Sequence, residues 1–228
     1  LKITFYAHAS FRLEADGLAV VTDPYTPARS GFDPIAEPAD IVLMSSATDD
    51  FHSDPSHVGG DPTVVNTLEL PPEGTVVKGV PVRPFPAYES LTFDYQSAFG
   101  RDPDANALYL FELGGIRVLH MGDIGNPVAP EHLDALAGQV DLLLALTGEH
   151  ATIALDDLDA AIARIRPGAI IPMHYHSGKG VLAIEPVERF TDRFAPERVR
   201  RVGTTSMELT KDMLNPDQPT IFVLDQSR

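Results

Sequence analysis

An α/β fold, with sheets packed face to face and helices outside them, is what this sequence predicts, on three observations. The first sixty residues read as strands joined by tight turns, a hairpin unit recurs in mid-chain, and the second half alternates buried strands with helices. KITFYA opens as a strand, and SFRLEADGLAVVTDP turns one extended run into the next at Ala15-Asp16-Gly17. NALYLFELGGIRVLHMGD repeats the unit: Gly114-Gly115 makes the turn, and Asp123 ends the second strand as Asp23 ends the first. PEHLDALAG then predicts a short helix and VDLLLAL a buried strand. LDDLDAAIARI predicts an amphipathic helix with Leu155, Leu158, Ile162 and Ile165 on one face. AIIPMH is another buried strand, PVERFTDRFAP a further helix, and VRRVG, MELTK and TIFVLD are late strands.

At 228 residues and 43% hydrophobic, the chain is long enough for one sizeable core and reads as one domain over residues 1–228. No stretch approaches the roughly 18 apolar residues of a membrane span, and Leu1-Lys2 opens into a strand pattern rather than a signal peptide. The expectation is a cytoplasmic protein with no membrane partner. The absence of cysteine excludes disulfides, thiolate ligands and a cysteine nucleophile, which leaves any metal to His, Asp and Glu. A formal charge of −16 opposes phosphate backbones, so no nucleic-acid partner is expected; Arg198, Arg200 and Arg201 read as a solvated strand edge. No Gly-x-Ser-x-Gly elbow, P-loop or dinucleotide fingerprint occurs.

Three apolar strands end in residues able to bind a hard or borderline cation. DIVLM leads to Asp49, Asp50 and His52, IRVLHMG to Asp123, and AIIPM to His174. Strand ends that meet on one edge of a sheet hold donors rigidly while loops leave room for substrate. Each residue alone also fits a bland role: Asp123 a turn aspartate, His174 a hydrogen-bonded core histidine, Asp50 a helix cap. The set carries the signal.

The runs HASFRLEADGLAVVTDPY, GDPTVVNTLEL, VPVRPFPAY, IRVLHMGD and IIPMHYHSG together resemble the metallo-β-lactamase fold, specifically its UlaG-like group of small metal-dependent hydrolases, from Lys2 to Gly178. The resemblance implies a four-layer αβ/βα sandwich of two pseudo-symmetric halves, with the active site along one edge between them. Laid on this sequence, the signature His-x-His-x-Asp-His falls on Ser46, Thr48, Asp50 and Phe51, the next histidine on Glu89, the bridging aspartate on Asp123 and the final histidine on His174. It implies that the first of two metal positions (Ser46, Thr48, Glu89) is dismantled, because hydroxyls bind zinc poorly beside imidazole or carboxylate. The second keeps Asp50, Asp123 and His174. His52, one residue beyond Phe51, is able to fill the vacancy there, and Glu89 to add a carboxylate. Asp49 reads as a solvated neighbour that a one-residue shift would exchange with Asp50. The expected cofactor is one divalent ion, Zn²⁺ first, with Mn²⁺ or Fe²⁺ also suited to the set.

His8, in AHAS, corresponds to a Gly-His segment near the site edge in the resembling family; His176, two residues beyond His174, and His150, in TGEHAT, are substrate-side candidates. Asp50 would orient or deprotonate the attacking water, with His8, His150 or His176 protonating the leaving group. His120 is expected to bond internally, and His57 and His132 to lie on the surface. The expected function is hydrolysis of a small ester, lactone or phosphoester by a metal-activated water, the chain's acidity favouring a neutral lactone over a phosphate. The partner is then a small-molecule substrate, with assembly into a homo-oligomer left open. The alternative is a catalytically inactive member that keeps the fold for binding or assembly, as the departures at Ser46, Thr48, Phe51 and Glu89 would allow. Retention of Asp50, Asp123 and His174 argues against it, since buried carboxylates without a cation are costly. Metal-dependent redox or nuclease chemistry is a third reading; the charge disfavours the nuclease.

Overall fold

Alternating apolar residues drive the first three strands into a meander. In β1 (Lys2–Ala7), β2 (Ser10–Ala15) and β3 (Leu18–Thr22), residues Ile3, Phe5, Phe11, Leu13 and Val20 are buried on one face. The β2–β3 turn is the predicted one, with Asp16 and Gly17 both left-handed (φ 54° and 78°), the type I′ geometry that matches strand twist. The computed structural model describes residues 1–49 and 51–228. The apolar run IVLM carries β4 (Pro38–Met44) in parallel beside β3, and β5 (Gly59–Asn66), a largely solvent-facing edge strand, pairs in parallel with β4.

The second sheet begins with β6 (Thr75–Val77), β7 (Val80–Tyr88), β8 (Ala105–Leu113) and β9 (Ile116–His120), all antiparallel neighbours. Gly114 and Gly115, at φ 60° and 69°, repeat the type I′ turn. β10 (Leu142–Leu146) and β11 (Ala169–Met173) extend the sheet in parallel. Of the late strands, β12 (Val199–Arg201) and β14 (Thr220–Val223) complete this sheet, while β13 (Ser206–Glu208) crosses back to pair with β1. The orders are β13-β1-β2-β3-β4-β5 and β12-β14-β11-β10-β9-β8-β7-β6.

One apolar cluster joins Phe5, Phe11 and Leu43 of the first sheet to Tyr109, Phe111 and Leu119 of the second. Each such side chain fully buried contributes about 1.5–3 kcal/mol. Among the described residues there are five α-helices: α1 (Pro27–Ser30), α2 (Tyr95–Phe99), α3 (Pro130–Leu136), α4 (Leu155–Ile165) and α5 (Glu188–Thr191). α4 buries Leu155, Leu158, Ala161, Ile162 and Ile165 in the same cluster and contacts α3. Its first turn carries Asp156 and Asp157, which suit the positive end of the helix dipole. The other face of the first sheet is covered more thinly, by Tyr25, Phe32 and Ile35 from the segment around the single-turn α1, packed on Tyr6, Val21 and Val42. The predicted α/β sandwich is therefore present, with few helices in its outer layers. PVERFTDRFAP forms only the one turn of α5, because Pro186 and Pro196 bracket a run too short to propagate a helix. Among the described residues no helix is long and apolar enough to cross a membrane.

Candidate metal centre

The ends of β1, β4, β9 and β11 deliver the titratable residues to one edge of the two sheets. His8 follows β1 and His174 follows β11, each in the left-handed region (φ 59° and 54°) that side chains other than glycine adopt only when the surroundings hold them there. His174 N donates to His8 O at 2.7 Å, which ties the two sheets together at this edge.

Two groups of donors share His52. One donor atom each from Asp49, His52 and Asp123 lies within 4.8 Å of the others, and the same holds for His8, His52 and His174. Asp123 links the sets: its Oδ2 is 3.4 Å from His52 Nε2 and its Oδ1 is 3.5 Å from His174 Nε2. The His8 ring stacks on His52 and His174, with centroids 4.2 and 4.0 Å away. All five side chains are buried. Among the described residues, no hydrogen bond reaches the buried His8 Nε2, His52 Nδ1, His174 Nδ1 or Asp123 Oδ1. Buried polar atoms without partners cost about 1–3 kcal/mol each, and imidazole with carboxylate is the donor set of Zn²⁺ and similar divalent ions. These residues fit such an ion.

The electrostatics agree with that fit. Burial alone would depress His52, yet Asp49, Asp123 and Asp23 raise its pKa to about 10. Burial opposes ionisation of Asp123, but the charges of His52 and His174 hold it down at about 2. His174 is lowered to about 4 by burial, and His8 well below its ordinary value by burial and by its two neighbouring imidazoles. The carboxylates thus demand positive charge here, and without an ion one imidazole supplies it.

Backbone contacts fix the donors. Asp49 Oδ1 accepts from Phe51 N (2.6 Å) and His52 N (3.0 Å), closing the loop after β4. Asp23 Oδ1 accepts from Ser45 N at 2.6 Å, and burial raises the Asp23 pKa to about 7. Asp123 N donates to Asn106 Oδ1 at 2.9 Å. His120 bonds internally as expected, Nε2 to Ala9 O at 2.8 Å, and stacks on Tyr109.

Several sequence-based expectations change. Asp50 lies outside the described residues. Among the described residues, the carboxylate beside His52 and Asp123 is Asp49, which is buried rather than solvated because two backbone N–H groups turn it inward. Glu89 joins neither donor group. Its Oε2 accepts from Arg101 Nη1 (2.6 Å) and Asp104 N (2.8 Å), and its Oε1 from Arg101 Nη2 (2.9 Å). At the other signature positions, Ser46 Oγ and Thr48 Oγ1 bond to one another at 3.1 Å. His176 does not share a face with His174: the left-handed turn at His174 breaks the strand alternation, and His176 is exposed beside a separate small hollow lined by His8 and Phe32. His150 is exposed, its Nε2 3.5 Å from Glu185 Oε1. His57 is structural, its Nδ1 accepting from Ile35 N and its Nε2 bonding Tyr25 O. His132 is half-buried, edge-on to Phe85.

A cavity of about 410 Å³ opens on Asp49, His52, Asp123 and His174, with His150 also on its wall. Sequence reasoning missed its other lining, Arg101 and the rings of Phe93, Tyr95 and Phe99. The available signal was LTFDYQSAF, which puts three aromatic rings into a segment between strands, where polar residues are the norm.

A sequence model of the β-lactamase superfamily domain matches residues 2–174. The chain belongs to the β-lactamase superfamily. Superfamily relatives extend the match: a "UPF0173 metal-dependent hydrolase" of Thermococcus onnurineus is 26% identical over 205 residues, 80% of this chain and 88% of its own. Another of that name, from Carboxydothermus hydrogenoformans, is 28% identical over 210 residues, 85% and 92% of the two chains. A solved structure from Thermotoga maritima, assigned to the metallo-β-lactamase superfamily, superposes with a TM-score of 0.72 at 28% identity, covering 98% of this chain and 97% of its own. The superfamily fold is thus shared across nearly the whole chain.

Proposed function

We propose that the protein is a metal-dependent hydrolase that holds one divalent cation among Asp49, His52, Asp123 and His174 and cleaves a small carboxylic ester or lactone. The observation that carries this reading is the buried donor cluster, with its unpartnered nitrogen and oxygen atoms, on the wall of a substrate-sized cavity. The names of the superfamily relatives support it. One cation rather than two is favoured by the neighbourhood of Glu89: both its oxygens are engaged by Arg101 and one also by Asp104 N, and Ser46 and Thr48 are bonded to each other.

A cation held by these residues would supply Lewis acidity to the scissile carbonyl and to the attacking water, whose pKa it would lower from about 15.7 towards 7. The chain's own residues do the remaining work. Asn106 holds Asp123 by accepting from its backbone N–H, and the N–H groups of Phe51 and His52 hold the Asp49 carboxylate. His8 stacks against both His52 and His174 and holds their rings in register. Phe51, Phe93 and Phe99 exclude water from the mouth of the cavity and give an apolar acyl or ring group its seat. His150, exposed on the same wall, is placed to return a proton to the departing oxygen.

The test is elemental analysis of protein purified without chelator, combined with hydrolysis of p-nitrophenyl butyrate and an aliphatic lactone before and after chelation. About one metal per chain and turnover that follows reloading support the reading. Metal without turnover of either probe favours the non-catalytic module, which the loss of ligands at Ser46 and Thr48 would accompany.

A further inference from the structure

Arg101 lines the same cavity as His52, Asp123 and His174, and its planar group is held on three sides. Its two inner hydrogens, one on Nη1 and one on Nη2, grip Glu89 end-on, and the outer Nη1 hydrogen goes to Asp102 O at 3.0 Å. Its Cζ sits 4.9 Å from the centroid of Tyr95. Among the described residues, no hydrogen bond uses Nε–H or the second Nη2–H. Those two donors run parallel along one edge of the guanidinium, the side-on fork that receives an oxygen acceptor.

Charge decides what acceptor suits this fork. Asp49, Glu89 and Asp123 on the cavity wall, with Asp104 Oδ2 3.6 Å from Arg101 Nη1, offset the guanidinium and a divalent cation, so the loaded site offers an anionic substrate no net attraction. A carbonyl oxygen is different, because it becomes negative only in the transition state, where a fixed fork in an apolar cavity helps most. Phe51 and Phe99 meet edge to face at 5.8 Å, and Phe93 packs on Phe99, which gives the cavity an apolar rim.

We propose that Arg101 is a catalytic residue that receives the carbonyl oxygen of a neutral, apolar ester or lactone on its free Nε/Nη2 edge, with the hydrocarbon body on Phe51, Phe93 and Phe99. This rests on the hydrolase reading above. In the reaction, the oxygen of water bonds to the carbonyl carbon and the C=O π pair moves onto the oxygen facing Arg101. As that carbonyl re-forms, the C–O bond to the leaving alkoxide breaks, and the proton shed by the water ends on the alkoxide. Glu89 and Tyr95 are positioning residues, because they hold the fork before charge develops.

The experiment compares the parent, Arg101→Met and Arg101→Lys, each loaded with Zn²⁺. Because Arg101→Met leaves Glu89 buried without its partner, the double variant Glu89→Gln/Arg101→Met is measured beside it. Metal content, kcat and KM for p-nitrophenyl butyrate, and calorimetric affinity for a hexyl trifluoromethyl ketone and the matching methyl ketone are read. The expected result is unchanged metal content, kcat lower by about 10²–10³ with KM nearly constant, and partial recovery in Arg101→Lys. The trifluoromethyl ketone, which binds as a tetrahedral adduct, should weaken by a similar factor while the methyl ketone does not. Unchanged kcat, a rise in KM alone, or equal weakening of both ketones overturns the assignment of Arg101 and leaves the hydrolase reading standing. A metal-loaded parent that turns over neither probe overturns both.

Discussion

Asp123 Oδ2 lies 3.4 Å from His52 Nε2, although Asp123 follows β9 in one sheet and His52 follows β4 in the other. A cation bound at this point would tie the two halves of the sandwich at their shared edge. Asp123→Asn and His174→Ala should therefore each abolish metal retention, measured as metal per chain after gel filtration, whereas His132→Ala on α3 should leave it unchanged. Equal metal content in the three variants would show that the ion sits elsewhere.

Gly122 places Asp123. At φ 61° it occupies the left-handed region, and a Cβ there would come 2.4 Å from both Ala107 O and Asn106 Oδ1, the latter being the acceptor for Asp123 N. Gly122→Ala should destabilise the protein by about 2–4 kcal/mol, combining backbone strain with overpacking. It should also weaken metal binding, although no ligand has been removed. Urea unfolding with and without metal measures both effects, and a variant as stable as the parent would contradict the steric account.

The sequence made these strand ends readable because β4, β9 and β11 are predominantly apolar, and each stops just before polar donors start. The hairpin turns at Asp16-Gly17 and Gly114-Gly115 were equally legible, since type I′ geometry demands those residues. Pro81, Pro84 and Pro86 argue against a strand at β7, yet it forms, through pairing with β8 from Val82 to Tyr88, a tertiary effect. The burial of Asp49 was not legible, since it depends on its carboxylate capturing the N–H groups of Phe51 and His52 in a turn, which leaves no sequence pattern. Arg101 gave no signal, because its partner Glu89 lies 12 residues away across a loop.

Away from the metal centre, Asp141 fastens β9 to the start of β10 by accepting from Arg117 N (2.8 Å), Nε (3.1 Å) and, through its other oxygen, Nη2 (2.9 Å). Burial opposes its ionisation, but these Arg117 bonds outweigh it and hold the Asp141 pKa below the ordinary carboxylate value. A depressed folded-state pKa contributes stability that is present above the unfolded value, about 3.9, and is lost as pH falls through the folded value. Asp141→Asn should thus cost about 1–2 kcal/mol at pH 7. The gap between parent and variant should narrow below about pH 4, as the parent's carboxylate also becomes neutral. Taking the difference between the two proteins cancels the acid response of the metal ligands, which both share. A gap that stays constant from pH 7 to pH 2.5, or widens in acid, would show that the Arg117 bonds act by shape rather than charge.

Metal should stabilise the fold through His52 more than through His8. A ligand that binds only the folded state contributes RT ln(1 + [L]/Kd), about 2.7 kcal/mol at a hundredfold excess over Kd, or roughly 5–11 °C in Tm for a chain of this size. His52 belongs to both donor groups, whereas His8 belongs to one and lies stacked between its neighbours. His52→Ala should accordingly remove most of the metal-induced rise in Tm. It should also alter the metal-free protein, because the imidazole that balances Asp49 and Asp123 is gone. His8→Ala opens a gap between two rings and should lower Tm with and without metal by a similar amount, leaving the increment on Zn²⁺ addition largely intact. Differential scanning calorimetry of the chelated and reloaded proteins separates the two. If His8→Ala abolishes the increment and His52→Ala does not, the ion is held by the His8 and His174 side of the cluster, and the ligand set proposed here must be redrawn around three imidazoles.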